Sequence, residues 1–326
     1  GKFEKIPLPV NSSQSNLFVN SLLEDTGRQC IWIGTEGYLF QYFPSTGQMK
    51  QTEAFHNNSI KSLALDGNGD LLAGTDNGLY VYHNDVTPLQ HIIHDSRNIQ
   101  SLTNNIIWNI FADQEHNIWL GTDYGISLSR YNSALQFIPI SQITGTGDGN
   151  QFYSLFRDSK GFYWFGGTNG LIRFTDPAGD KHNAIWYRMG DKTYPLSHNR
   201  IRHIYEDKEQ QLWIATDGSI NRYDYATRQF VHYNIVDSTG TYNTNWTYYM
   251  FEDNAGHLWI STCLGGIFVV DKHRLMQSAS GQYVAEQNYS VHNGLSGMFI
   301  NQIIPDNEGN VWVLLYNNKG IDKINP

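Results

Sequence analysis

The residues of this chain that could carry chemistry are twelve histidines, two cysteines and several acidic pairs, and their spacing decides what they can do. His91-Ile92-Ile93-His94 looks like a metal pair. On a strand, however, an offset of three residues sends the two rings to opposite faces, so no metal site is expected there. Cys30 and Cys263 lie 233 residues apart, and two thiols make neither a disulfide framework nor a four-cysteine zinc site. No Gly-x-Ser-x-Gly elbow occurs that would expose a nucleophilic serine. Gly145-Thr146-Gly147-Asp148-Gly149 has no Lys-Ser/Thr after it, so it reads as a connection rather than a phosphate loop. The acidic pairs Glu24-Asp25, Glu206-Asp207 and Glu252-Asp253 recur at equivalent points of a repeated pattern, whereas an active site is used once. They therefore read as turn chemistry. No catalytic residue, metal or cofactor is expected.

That repeated pattern is the element from which the chain is built. An alternating apolar run leads into an Asp, a Trp follows six residues later, and a small residue, usually Thr, then precedes a Gly turn. The marker aspartates are Asp25, Asp66, Asp113, Asp158, Asp207, Asp253 and Asp306, spaced 41 to 53 residues apart. The indole place holds Trp32, Leu72, Trp119, Trp164, Trp213, Trp259 and Trp312, with one extra residue before Trp32. Each unit reads as four short strands. Asp bonds backbone amides in the first hairpin, and Gly or Asn accepts positive φ in the turns. Units of this length with four strands are propeller blades. The expected fold is all-β, a seven-bladed β-propeller with four-stranded blades, and its tryptophans are scaffold between blades.

The seventh unit stops at Asn325-Pro326, after its third strand, while Gly1-Lys2-Phe3-Glu4-Lys5-Ile6 resembles fourth-strand segments such as Gly47-Gln48-Met49-Lys50. Residues 2–8 are therefore expected to be the outer strand of the last blade, pairing an otherwise open edge. Residues 1–326 would then form a single domain. Blades one and five show a shortened Thr-x-Gly turn, and blade seven has Leu314-Leu315 where the others have a small residue and Thr.

Composition agrees with many small blades. The chain has 326 residues and a net charge of −9, with 16% charged and 14% aromatic residues and 30 glycines. A disordered chain needs the opposite balance, and a nucleic-acid binder would carry basic excess. No apolar run reaches the 18 residues of a membrane span, and Gly1-Lys2-Phe3-Glu4 lacks the apolar core of a signal peptide.

Function is sought where the repeat varies, because that is where a site can be grafted on a scaffold. Five residues before each Asp stand Asn20, Lys61, Trp108, Tyr153, Arg202, Tyr248 and Asn301. Seven before it stand Phe18, Ser59, Ile106, Gln151, Arg200, Trp246 and Phe299. In a propeller this strand lines the channel and opens onto the face that also receives the Thr-x-x-Gly turns, with Asp123, Tyr124 and Asp217. The candidate ligand-binding residues are accordingly Lys61, Trp108, Asp123, Tyr124, Tyr153, Arg200, Arg202, Asp217, Trp246 and Tyr248. Aromatic planes among cations, carboxylates and amides suit a carbohydrate, each stack being worth on the order of 1 kcal/mol.

The repeat resembles the two-component regulator propeller repeat across all seven units. Ser101-Leu102-Thr103-Asn104-Asn105 and Pro195-Leu196-Ser197-His198-Asn199 are similar to its "SLSNN" lead-in, and Ile220-Asn221-Arg222-Tyr223-Asp224 to its "LNRYD" strand. The resemblance implies the periplasmic sensor segment of a hybrid two-component histidine kinase of the gut Bacteroides type, controlling glycan-utilisation genes. It implies as partners an oligosaccharide ligand, a neighbouring propeller and an immunoglobulin-like domain, with nucleic acid contacted elsewhere in the parent. It places no ligand residue. Two other readings stand beside this one: a propeller enzyme, lyase or glycoside-acting, and a purely structural or homodimer-forming propeller of the same sensor.

Overall fold

The computed structural model describes residues 2–9, 17–52, 55, 58–83, 90–131, 137–140, 150–176, 184–193, 195–278, 282–316 and 320–326. Their strands form seven sheets, six of four strands and one of five, and the first three strands of each blade follow one another as antiparallel hairpins. This is a seven-bladed β-propeller. The chain divides into two compact units, Pro9–Ile185 and Trp186–Pro326 with Gly1–Leu8. The first carries blades one to three and the inner strands of blade four. The second carries blades five to seven.

Five blades share one local device in full at the first hairpin. Asp158 shows it: Oδ1 accepts from the backbone N–H of Lys160 and Phe162, at 3.0 and 2.8 Å, and Oδ2 accepts from the Trp164 indole N–H at 2.7 Å. Asp113, Asp207, Asp253 and Asp306 repeat the full arrangement with Trp119, Trp213, Trp259 and Trp312. One carboxylate thus shapes the hairpin and aims the indole of the next strand, which is why the two residues keep their spacing. The longer first turn keeps the Asp25–Trp32 bond at 3.0 Å. Blade two has the backbone half alone, and Leu72 packs with Ile107, Ile110 and Leu120 of blade three. Trp32 packs with Leu63, Leu71 and Ala73 of blade two, and Trp213 with Met250, Leu258 and Ile260 of blade six.

The turns of blades one and five are not shortened. Thr216 pairs with Ser219 as Thr75 pairs with Gly78, so the turn length is unchanged and glycine has moved one place earlier. Gly78 has φ 94° and a Cβ there would lie 2.3 Å from the Ile92 carbonyl oxygen. Ser219 adopts φ 83° at the same place, and its hydroxyl bonds the Tyr233 carbonyl at 2.7 Å.

In the second unit, Lys2–Ile6 pairs antiparallel with Ile321–Asn325 and completes blade seven as its outer strand. Blade six departs from the pattern. Between its third and fourth strands the chain makes a helix, Lys272–Gln277, then a strand, Gln282–Val284, that runs parallel to Asn234–Val236 and gives blade five its fifth strand. Lys272 is fully buried and holds the helix down through Glu252, Glu209 and Asp207 at 2.8, 3.1 and 3.2 Å.

Candidate functional site

The first strand of each blade contains a β-bulge, and the bulged residue is in each case the one five before the Asp. The register slips between Val19 and Ser21, Ile60 and Ser62, Ile107 and Asn109, Phe152 and Ser154, Ile201 and His203, Thr247 and Tyr249, and Ile300 and Gln302. Asn20, Lys61, Trp108, Tyr153, Arg202, Tyr248 and Asn301 therefore have no opposite residue in the ladder. A bulge releases its side chain from the alternation of the strand and re-aims it. The residue after the bulge is used differently: Ser62 and Asn109 accept the backbone N–H of Ile110 and Leu155 in the following blade.

In the Pro9–Ile185 unit the structure brings four of the candidates together. The Lys61 ammonium sits 4.5 Å from the Trp108 ring centre, and Tyr153 meets the same indole edge-on at 5.3 Å. The Trp108 indole N–H donates to Asp123 at 3.0 Å. Gln151, absent from the candidates, completes the group: its amide donates to Asp123 at 2.6 Å and its carbonyl oxygen accepts from the Tyr153 hydroxyl. The indole face taken for a sugar platform is already occupied by Lys61. Tyr124 stands exposed on its turn, its backbone N–H bonded to Thr122. The Gly145–Gly149 run lies outside the described residues. His91 stacks on Tyr80 and bonds the Asn77 carbonyl oxygen, while His94 bonds that of Leu102, so the two rings serve separate neighbours.

The second unit holds the other five candidates. Arg202 grips Asp217 with two nitrogens at 2.8 and 3.3 Å, and its guanidinium lies 4.5 Å from the Tyr248 ring centre. Arg200 adds a longer contact to Asp217 at 3.8 Å. Burial pushes the Tyr248 phenol and the neighbouring Cys263 thiol up, so both stay protonated near neutrality. Arg202 and Tyr248 thus satisfy one another.

Trp246 is different. It remains 49% exposed, although it takes φ 55°, a left-handed conformation that costs a non-glycine residue roughly 1 kcal/mol or more. Two backbone bonds hold it: its N–H donates to the Asp217 carbonyl and its carbonyl accepts from Cys263, both at 3.0 Å. Beside it opens a cavity of about 260 Å³ lined by Thr241, Tyr242, Asn243, Asn245, Leu264 and Gly265. An exposed indole, an exposed Leu264 and neutral amides face one space. Sequence reasoning missed Tyr242, Asn243, Asn245 and Leu264, which precede the strand or sit on its turn. The Asn- and Thr-rich run Thr239 to Asn245 is the only signal for the first three.

A model of the two component regulator propeller matches residues 101–124, 146–169 and 195–218. Three segments of the chain thus match the two-component regulator propeller family. Two of the matched segments start at the Ser101 and Pro195 lead-ins. The chain is 94% identical, over its whole length, to the extracellular domain of a hybrid two component system from B. thetaiotaomicron; it covers 44% of that solved chain, with a TM-score of 0.57. The corresponding domain of a second such system from that organism is 19% identical over 98% of the chain and 42% of its own, with a TM-score of 0.74, and shows the fold alone. Histidine kinase P4 of Formosa agariphila is 26% identical in an alignment of 263 residues that covers 72% of this chain and 18% of the kinase. The chain thus spans less than half of the solved domains and under a fifth of the kinase it matches. No helix among the described residues is long and apolar enough to cross a membrane. Within the two-component regulator propeller repeat, the shared residues are those of the hairpin and indole, and the bulge is where this chain differs from blade to blade.

Proposed function

We propose that residues 1–326 are one propeller domain, the extracellular, periplasmic sensor segment of a hybrid two-component histidine kinase, and that it binds an oligosaccharide without turning it over. The near-identity to an extracellular domain of such a system supports the first part. The second rests on Trp246, a half-exposed indole kept in a left-handed backbone beside a cavity lined by amides and hydroxyls. The bonds to Asp217 and Cys263 hold the backbone there while the ring stays open. An indole face offered to solvent beside neutral hydrogen-bonding groups suits the C–H face and hydroxyls of a sugar ring. In the parent protein the adjoining partners would be a second propeller and an immunoglobulin-like domain. Ligand would act by favouring one arrangement of these parts, to the extent that it binds that arrangement better.

Isothermal titration calorimetry against size-fractionated oligosaccharides from xylan, mannan, arabinan and pectic galactan tests this reading. Binding of at least one pool is expected, weakened about fivefold or more in Trp246→Ala, since one aromatic stack is worth about 1 kcal/mol. Chromatography of the ligand after incubation should show it unchanged. Release of a product would turn the reading to an enzyme. Unaltered affinity in Trp246→Ala would remove this face as the site, and absence of binding by every pool would leave a structural or dimer-forming propeller.

A further inference from the structure

A second cavity, of about 440 Å³, opens beside the first, and Thr241 and Tyr242 line both. Their common wall is the connection from the outer strand of blade five, Gln229–Val236, to the inner strand of blade six, Thr247–Glu252. The far side of the larger cavity is built by the excursion that breaks the blade pattern. Its lining residues Ala285 to Asn288 belong to the extra parallel strand's exit and the fourth strand of blade six. No other blade among the described residues has a fifth strand. A departure from the repeat that creates a polar hollow next to the exposed indole is where a scaffold carries added function.

The hollow is lined mostly by hydroxyls and amides, with two carboxylates held in place by the protein. Asp237 accepts from the backbone N–H of Tyr242 at 2.6 Å and of Thr239 at 3.1 Å. Glu286 accepts from the Tyr283 hydroxyl and the Asp271 N–H, at 2.7 and 2.8 Å, and pairs with Arg274 at 3.1 Å. Both carboxylates are therefore spent on the protein's own groups. Ser238 and His292 stand exposed at the margin, and Asn288, whose amide donates to the Gly265 carbonyl, lines the cavity. Glu286 is neutralised by Arg274, Asp237 remains the one anion of the lining, and the hydroxyls and amides around it favour a hydroxyl-rich neutral ligand over an acid. The larger cavity falls within the range of about 300–1,000 Å³ typical of small-molecule sites, and the smaller lies just below it.

We infer that this cavity is a second subsite for the same saccharide chain, so that the face reads ligand length: one end stacks at Trp246 and the extension crosses Tyr242 into the hollow. This rests on the sugar-binding reading above. The test is calorimetry of the full chain with two-, four- and six-ring pools prepared from the four polysaccharides named there. Wild type is expected to bind the four-ring pool at least tenfold more tightly than the two-ring pool. Ser238→Trp, which fills the cavity without removing a bond, and His292→Ala should each shrink that gain to less than threefold while leaving two-ring affinity and thermal stability unchanged. Equal affinity for two- and four-ring pools in wild type, or a length gain that survives both variants, overturns the second subsite. Those outcomes leave the Trp246 reading standing, whereas failure of every pool to bind wild type overturns both.

Discussion

At the residue scale the Asp–Trp pair ties the first hairpin to the second strand in six of the seven blades. Trp164→Phe keeps the ring but removes the N–H that meets Asp158, a carboxylate only 3% exposed. Losing a hydrogen bond to a buried charged group costs about 1.5–3 kcal/mol, so urea unfolding should show a loss of that order, with no effect on ligand binding. His203 gives a second prediction. Burial pushes its imidazole down to about 3 from an ordinary 6.5, and it stacks on Tyr249 at 3.8 Å while accepting the Met250 N–H at 3.3 Å. Between those pH values the unfolded chain takes up a proton that the folded chain refuses. Stability should therefore fall as pH drops from about 6.5 toward 4.5, by up to about 1.4 kcal/mol per unit. His203→Gln, which keeps an acceptor that does not titrate, should flatten the slope in denaturation curves across that range. An unchanged slope would remove His203 as its source.

At the element scale, the bulge and the outer strand of blade seven are the informative pieces. The alternation of apolar residues predicts strand one of every blade, yet a bulge is invisible to it, because the extra residue is polar or aromatic as an outward-facing one would be. The seven varied positions were legible as a set, and the bulge is the physical reason that they vary: each lies outside the ladder and carries no pairing duty. The Lys2–Ile6 strand was legible from its likeness to other fourth strands. Removing residues 1–8 would strip the edge of Ile321–Asn325 and expose the site of Ile6, which is 5% exposed. Burial of such a side chain is worth about 2 kcal/mol, and the open edge invites pairing with other copies. The truncated chain should melt several degrees lower and elute partly as oligomers in gel filtration. A chain that stays monomeric with an unchanged melting temperature would deny the strand this role. The helix Lys272–Gln277 and the parallel strand after it escaped notice, since six and three residues leave too little periodicity to read.

At the scale of the whole molecule, the proposal of one domain predicts a single cooperative transition in calorimetry, with matching calorimetric and van't Hoff enthalpies. Two separated transitions would mean that Pro9–Ile185 melts apart from the remainder. The sequence by itself determined the number of blades, their four-strand plan, the hairpin chemistry of the aspartates and the tryptophan scaffold. These follow from interactions within about twenty residues, repeated until the period is unmistakable. Only the tertiary structure decided which varied residues remain open. Trp108 is covered by Lys61 and Tyr248 by Arg202, both from the preceding blade and more than forty residues away, while Trp246 is left facing a cavity. Whether an aromatic side chain is free or covered depends on what a neighbouring blade sets against it, and no local pattern carries that information.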